Sequence, residues 1–160
     1  MKKYGMKQLG FISLVFLPTL AVANFPRGCE QMGYQFKDND LVINDAGSQT
    51  LFLVKNISNS QIKLKRRQNE DSFMSPSLSA KLLSGRWGAF ASDVKSLHFQ
   101  CYKVFKGDKA LVDCQSILAV CQYPRVKFAL SNMGNYWVSS NKSIRNTLRD
   151  AKKKGISLRW

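Results

Sequence analysis

Four cysteines, Cys29, Cys101, Cys114 and Cys121, limit what this chain can fold into more than any other feature. An even set reads as two disulfides in an oxidising compartment, and as metal ligands or buried thiols elsewhere. The N-terminus bears on the choice. Lys2, Lys3 and Lys7 precede a mostly apolar run, Leu9 to Leu20, and Ala21-Val22-Ala23 then has the small-x-small pattern of a cleavage site. Residues 1–23 are therefore expected to be a signal peptide and residues 24–160 a single exported domain, periplasmic, surface-exposed or secreted. The apolar run falls short of the about 20 residues of a membrane span, and Pro18 interrupts it, so no transmembrane segment is expected in the mature chain. Cys29 follows Pro26-Arg27-Gly28 and does not sit at the cleavage point, which argues against a lipid anchor.

Three pairings of four cysteines are possible. Leu97 to Gln115 reads as a hairpin around Lys106-Gly107-Asp108-Lys109. With Phe105 opposite Ala110, Cys101 comes opposite Cys114, which favours Cys101–Cys114 and leaves Cys29 for Cys121. A zinc site is the rival use of these thiols, but there is no C-x-x-C pair and a single histidine. No metal and no cofactor is expected.

Short extended segments separated by turn residues fill the rest of the chain. Leu41-Val42-Ile43 ends at Asn44-Asp45-Ala46-Gly47, and Thr50 to Lys55 is a β-branched, aromatic and leucine-rich run. Gln61 to Arg67 alternates, with Ile62 and Leu64 on one face and Lys63, Lys65 and Arg67 on the other. Ser116 to Cys121 reads as a short helical turn. Val126, Phe128 and Leu130 alternate with Arg125, Lys127 and Ala129, and a turn at Asn132-Met133-Gly134 would set Leu130 against Tyr136 and Phe128 against Val138. One helix is expected near the C-terminus, capped by Asn141 or Ser143, striped by Ile144, Leu148 and Ala151, and closed by Lys152-Lys153-Lys154 and Gly155. Ile156 to Trp160 then reads as a last extended piece. The expected fold is mainly β: an antiparallel sandwich of immunoglobulin-like character with a C-terminal helix and two disulfides.

Nothing here has the pattern of an active site. His98 alternates with Leu97 and Phe99 as an ordinary strand residue, and Glu70-Asp71 are neighbouring acids in a polar loop. There is no G-x-S-x-G elbow and no Gly-rich phosphate loop. A non-enzyme is the expectation. Charge says more, because the formal net charge of +15 falls only to about +12 without Lys2, Lys3 and Lys7. Such a surface attracts polyanions or acidic proteins, and export excludes genomic nucleic acid. Candidate contact residues are Lys63, Lys65, Arg66 and Arg67, together with Arg125, Lys127 and Trp137, which the alternation places on one face. Two plain alternatives stand beside them. Lysines on an edge strand keep sheets from pairing edge to edge, and Trp137 can simply be covered by the C-terminal element.

Four stretches carry a family likeness: F-P-R-G-C from Phe25, R-W-G-A-F-A-S-D-V-K-S-L-H-F-Q-C from Arg86, V-C-Q-Y-P-R-V-K-F-A-L-S-N-M-G-N-Y-W-V-S-S-N-K from Val120, and K-G-I-S-L-R-W from Lys154. Together, from Phe25 to Trp160, they resemble the enhanced-entry protein EnhB family of Gram-negative intracellular pathogens. That resemblance implies an exported envelope protein associated with uptake into host cells and carries no catalytic residues with it. The functional expectation is a non-catalytic binding protein of the envelope, with an envelope or host-surface protein, or an anionic glycan or lipid, as partner. The alternatives are a polyanion-binding module for lipopolysaccharide or sulfated glycan and a modulator of peptidoglycan-acting enzymes.

Overall fold

The computed structural model describes residues 24–44, 50–67, 79–92, 96–124, 126–127 and 136–158. The signal-peptide segment, Arg125, and the Phe128–Tyr136 turn lie outside these residues or are described only at one end. In chain order the strands are β1 (Tyr34–Lys37), β2 (Asp40–Asn44), β3 (Thr50–Asn56), β4 (Gln61–Arg66), β5 (Ser79–Leu82) and β6 (Trp87–Ser92). Next come β7 (Ser96–Phe105), β8 (Asp108–Val112), β9 (Leu118–Tyr123), β10 (Val126–Lys127) and β11 (Tyr136–Lys142). Helix α1 (Ile144–Lys153) and β12 (Ser157–Leu158) are the last elements among the described residues.

These strands form antiparallel sheets. The larger has the order β1-β2-β7-β4-β5, with β8 also paired to β7; the smaller has the order β11-β6-β3-β9. Their facing sides share one core: Leu41, Ile62, Leu64, Leu82 and Phe99 from the larger sheet meet Phe52, Val54, Phe90 and Val120 from the smaller. Phe90 and Phe99 touch at its centre, ring centroids 4.8 Å apart. Each fully buried side chain of this size stabilises the fold by about 1.5–3 kcal/mol relative to exposure.

The two sheets read differently in sequence for a physical reason. In β4 the core side is buried and the other side faces water, so Gln61-Ile62-Lys63-Leu64-Lys65 alternates. In β3, Leu51, Phe52, Leu53 and Val54 are all buried, because the smaller sheet is covered on both sides. Its second side, with Leu51, Leu53, Trp87, Ala89, Ala91 and Trp137, packs under α1 through Ala151, Ile144 and Leu148, and under Phe25 from the N-terminal segment. A strand buried on both faces has no polar positions to alternate with.

Both disulfides are those favoured from sequence. Cys29–Cys121 clamps the N-terminal segment along the edge of β9, where Glu30 and Gln122 exchange two backbone hydrogen bonds (2.8 and 2.7 Å). An otherwise open edge is thereby occupied. Cys101–Cys114 forms in spite of a register two residues away from the expected one. Phe105 faces Asp108, and Cys101 faces Val112. The turn is the two-residue Lys106–Gly107, with φ of 46° and 95°; two central residues of positive φ give a turn whose twist matches the right-handed twist of the strands it joins. Cys114 reaches Cys101 from just beyond β8, held by its N–H donating to the Asn39 carbonyl (2.9 Å).

Other local expectations change as well. Leu118–Tyr123 is strand, not a helical turn, because it completes the smaller sheet against β3. The described ends of the expected Val126–Tyr136 hairpin pair elsewhere: β10 with β12, and β11 with β6. The helix follows the sequence closely. Ser143 caps it, accepting from the Asn146 N–H (3.3 Å), and Gly155 leaves it at φ 78°.

Candidate functional site

The outward side of the larger sheet is a cationic surface built by four strands. Lys63 and Lys65 project from β4 on this side, Lys65 exposed and Lys63 half-buried. Cross-strand register sets Lys81 of β5 and Tyr102 of β7 on either side of Lys63, and Leu111 of β8 beyond Tyr102. Lys65 lies between Ser79 and Gln100 in the next row. Lys109, opposite Val104, and Lys37, opposite Asp40, extend the same side. Leu111 is exposed at 57% and gives the surface an apolar spot among its ammonium groups.

Its charges are poorly balanced. Among the described strand positions on this side the one carboxylate is Asp40, which is buried and engages Arg67 at 3.5 Å. Lys63 and Lys81 are direct cross-strand neighbours, an arrangement in which like charges repel and destabilise a sheet. The edge-guard explanation holds for Lys81, because β5 ends the sheet, but not for Lys63 and Lys65 on β4, which is paired on both sides, by β5 and by β7.

The remaining candidates do not join this surface. Arg66 is registered with Phe99, so it leaves β4 toward the opposite side from Lys63 and Lys65. Trp137 is only 8% exposed: it belongs to the core under α1, and the exposed-anchor reading is corrected by the helix that covers it. Lys127 pairs with Ser157 in the small β10–β12 ribbon, and Arg125 lies outside the described residues. The sequence reading missed Lys81 because β5 is four residues long and follows a polar stretch. Its Ser-Ala-Lys-Leu alternation was the available signal.

All four cysteines are oxidised to disulfides, so none is a thiol nucleophile. Among the described residues no group of His, Cys, Asp or Glu is placed to hold a metal ion, and no helix is long and apolar enough to cross a membrane. Comparison with protein-family models, with characterised proteins and with solved structures finds no match to this chain.

Proposed function

We propose that this chain is an exported, non-catalytic binding protein of the cell envelope that supports bacterial uptake into or survival in host cells. In this reading it lays the outward side of its larger sheet on an anionic glycan. Sulfated host glycans and lipopolysaccharide share the required oxyanion chemistry. The observation that carries the reading is Lys63 directly opposite Lys81, with no carboxylate in their row. Repulsion within a sheet is offset when an anion lies across both ammonium groups. Two disulfides, usual in oxidising compartments, support export. The resemblance to the enhanced-entry family supports the setting. A sandwich of immunoglobulin-like character is the fold we propose as the frame, supported by two antiparallel sheets sharing one core, although neither disulfide crosses between them.

The test is binding of the oxidised protein to a sulfated glycan, to lipopolysaccharide and to uncharged dextran, each at low and high salt. Both anionic ligands or one of them should bind, dextran should not, and the Lys63→Glu/Lys65→Glu variant should lose about tenfold or more in affinity at low salt. Unchanged affinity in a folded variant refutes the assignment.

A further inference from the structure

On the far side of the molecule a β-bulge builds a second polar site. In β11, Trp137 lies opposite Ala91 and Ser139 opposite Ala89, so both side chains face α1. A regular strand would turn Lys142 the other way, toward the side of Val138 and Ser140. The ladder instead shifts between Ser139 and Lys142, and Lys142 comes opposite Trp87. One extra residue moves a side chain to the other face of its sheet. Asn141 absorbs the bulge in a left-handed conformation (φ 57°) and is tied down by accepting from the Leu83 N–H at 3.1 Å. The bulge thus sets Lys142 on the same side as Ser139.

Between β11 and α1 lies a cleft of about 400 Å³, lined by Trp137, Ser139, Lys142, Asp150, Lys153 and Lys154 among others. Its volume is within the about 300–1,000 Å³ of small-molecule sites. Lys142 pairs with Asp150, whose carboxyl is held below its ordinary range first by that hydrogen bond. Lys153 and Lys154 make no ion pair among the described residues, so the cleft carries an excess of positive charge. Ser139 is 6% exposed, and its Oγ, closed to solvent, has no hydrogen-bond partner among the described residues. Lysines at a helix C-terminus suit the helix dipole, and that accounts for Lys153. It accounts for neither the unpartnered hydroxyl nor the bulge that brings Lys142 round to it.

We propose that this cleft binds an acidic sugar residue, one ring bearing a carboxylate, sulfate or phosphate. The oxyanion lies between the Lys153 and Lys154 ammonium groups, and side chains lining the cleft shift to open the Ser139 hydroxyl, closed to solvent in the ligand-free protein. The Ser139 hydroxyl donates to the oxyanion, and the Asp150 carboxylate accepts from a ring hydroxyl. A bare inorganic anion leaves most of the volume unfilled. The site shares no residue with the basic side of the larger sheet, and the two can fail separately.

Amide shifts of the oxidised protein, followed by NMR during titration with glucuronate, glucose 6-sulfate, glucose and inorganic sulfate at low salt, test this. Glucuronate or glucose 6-sulfate should give saturable shifts at Ser139–Lys142 and Lys153–Gly155, and glucose none. Ser139→Ala should weaken that binding at least about tenfold, the worth of one charge-assisted hydrogen bond. Lys153→Gln/Lys154→Gln should do the same, and Lys63→Glu/Lys65→Glu should leave it unchanged. Equal response to glucose, binding of inorganic sulfate as tight as that of the acidic sugars, unaltered affinity in Ser139→Ala, or no saturable shift overturns the proposal.

Discussion

Replacing Lys81 by Glu should make the protein more stable and a poorer ligand for polyanions. Lys63 and Lys81 are direct cross-strand partners, which places their Cβ atoms about 4.5–5.5 Å apart. With the ammonium groups splayed to about 7 Å, their repulsion in water is about 0.6 kcal/mol. A Debye length of about 8 Å at physiological salt cuts this to about 0.3 kcal/mol. Glu at position 81 turns repulsion into attraction of similar size, a gain of about 1 kcal/mol at low salt and about 0.5 kcal/mol at physiological salt. Lys81→Gln removes only the repulsion and should give half of each. Urea denaturation of the three proteins at low and high ionic strength measures these differences. Binding to a sulfated glycan should move the opposite way, falling further for Glu than for Gln. If Glu is no more stable than Gln, or if its gain persists at high salt, the two lysines do not interact as their register requires. The surface then holds no like-charge strain for an anion to relieve.

Further outcomes follow from the rest of the fold. The disulfides span 92 and 13 residues, so chain entropy makes Cys29–Cys121 worth about 4.7 kcal/mol and Cys101–Cys114 about 3 kcal/mol; paired Cys→Ala variants in urea should unfold in that order, and the reverse order contradicts the loop-closure account. At Gly33 (φ 73°) an added Cβ would lie 1.8 Å from Gln122 Oε1, whereas at Gly85 (φ 69°) it meets nothing within 4 Å. Gly33→Ala should therefore cost the about 1–2 kcal/mol of a left-handed residue plus the displacement of the buried Gln122 amide, and Gly85→Ala only the first, a difference thermal melting will read. Lys142 lowers the Asp150 pKa from its ordinary 3.8, so the pair's stabilisation is present above that value and lost as pH falls through the lower folded pKa. The melting difference between wild type and Asp150→Asn should be constant near neutrality and shrink below that pH, and a difference that grows in acid excludes the pair as its source.

Much of the frame was readable in the sequence because it depends on local pattern. Alternation in Gln61–Arg66 gave the two faces of β4, and Ser143 with Gly155 bracketed the helix. The cysteine pairing holds even with a faulty hairpin register, because Cys114, two residues past Val112, still lies within disulfide reach of Cys101, with Cα atoms 5.3 Å apart. What local pattern could not supply was partnership. Nothing within Gln61–Arg67 says that β4 is interior, and nothing near Ser79–Leu82 says that Lys81 will stand beside Lys63, since the ladder is closed by residues about 20 positions apart. The bulge in β11 was hidden for a similar reason. A one-residue shift leaves the composition untouched and changes only the face to which Lys142 belongs.

The distribution of charge follows from the layers. The smaller sheet is enclosed by the larger sheet on one side and by α1 with the N-terminal segment on the other, so its strands are nearly free of charged side chains. A chain with 25 basic and 10 acidic residues must place its excess on what is left. Solubility is satisfied by mixed signs, and aggregation is blocked at edges, not in the middle of a sheet. On β4, flanked on both sides, lysines serve neither purpose better than an alternating Lys/Glu pattern would. Lys81 lies on the edge strand β5, where a lysine guards the sheet, but its pairing with Lys63 is still a cost on the larger sheet, and in the proposed reading a bound polyanion supplies the counter-charge. A sulfated glycan should accordingly raise the melting temperature of wild type more than that of Lys81→Glu, and an equal rise in both would sever the charge pair from binding.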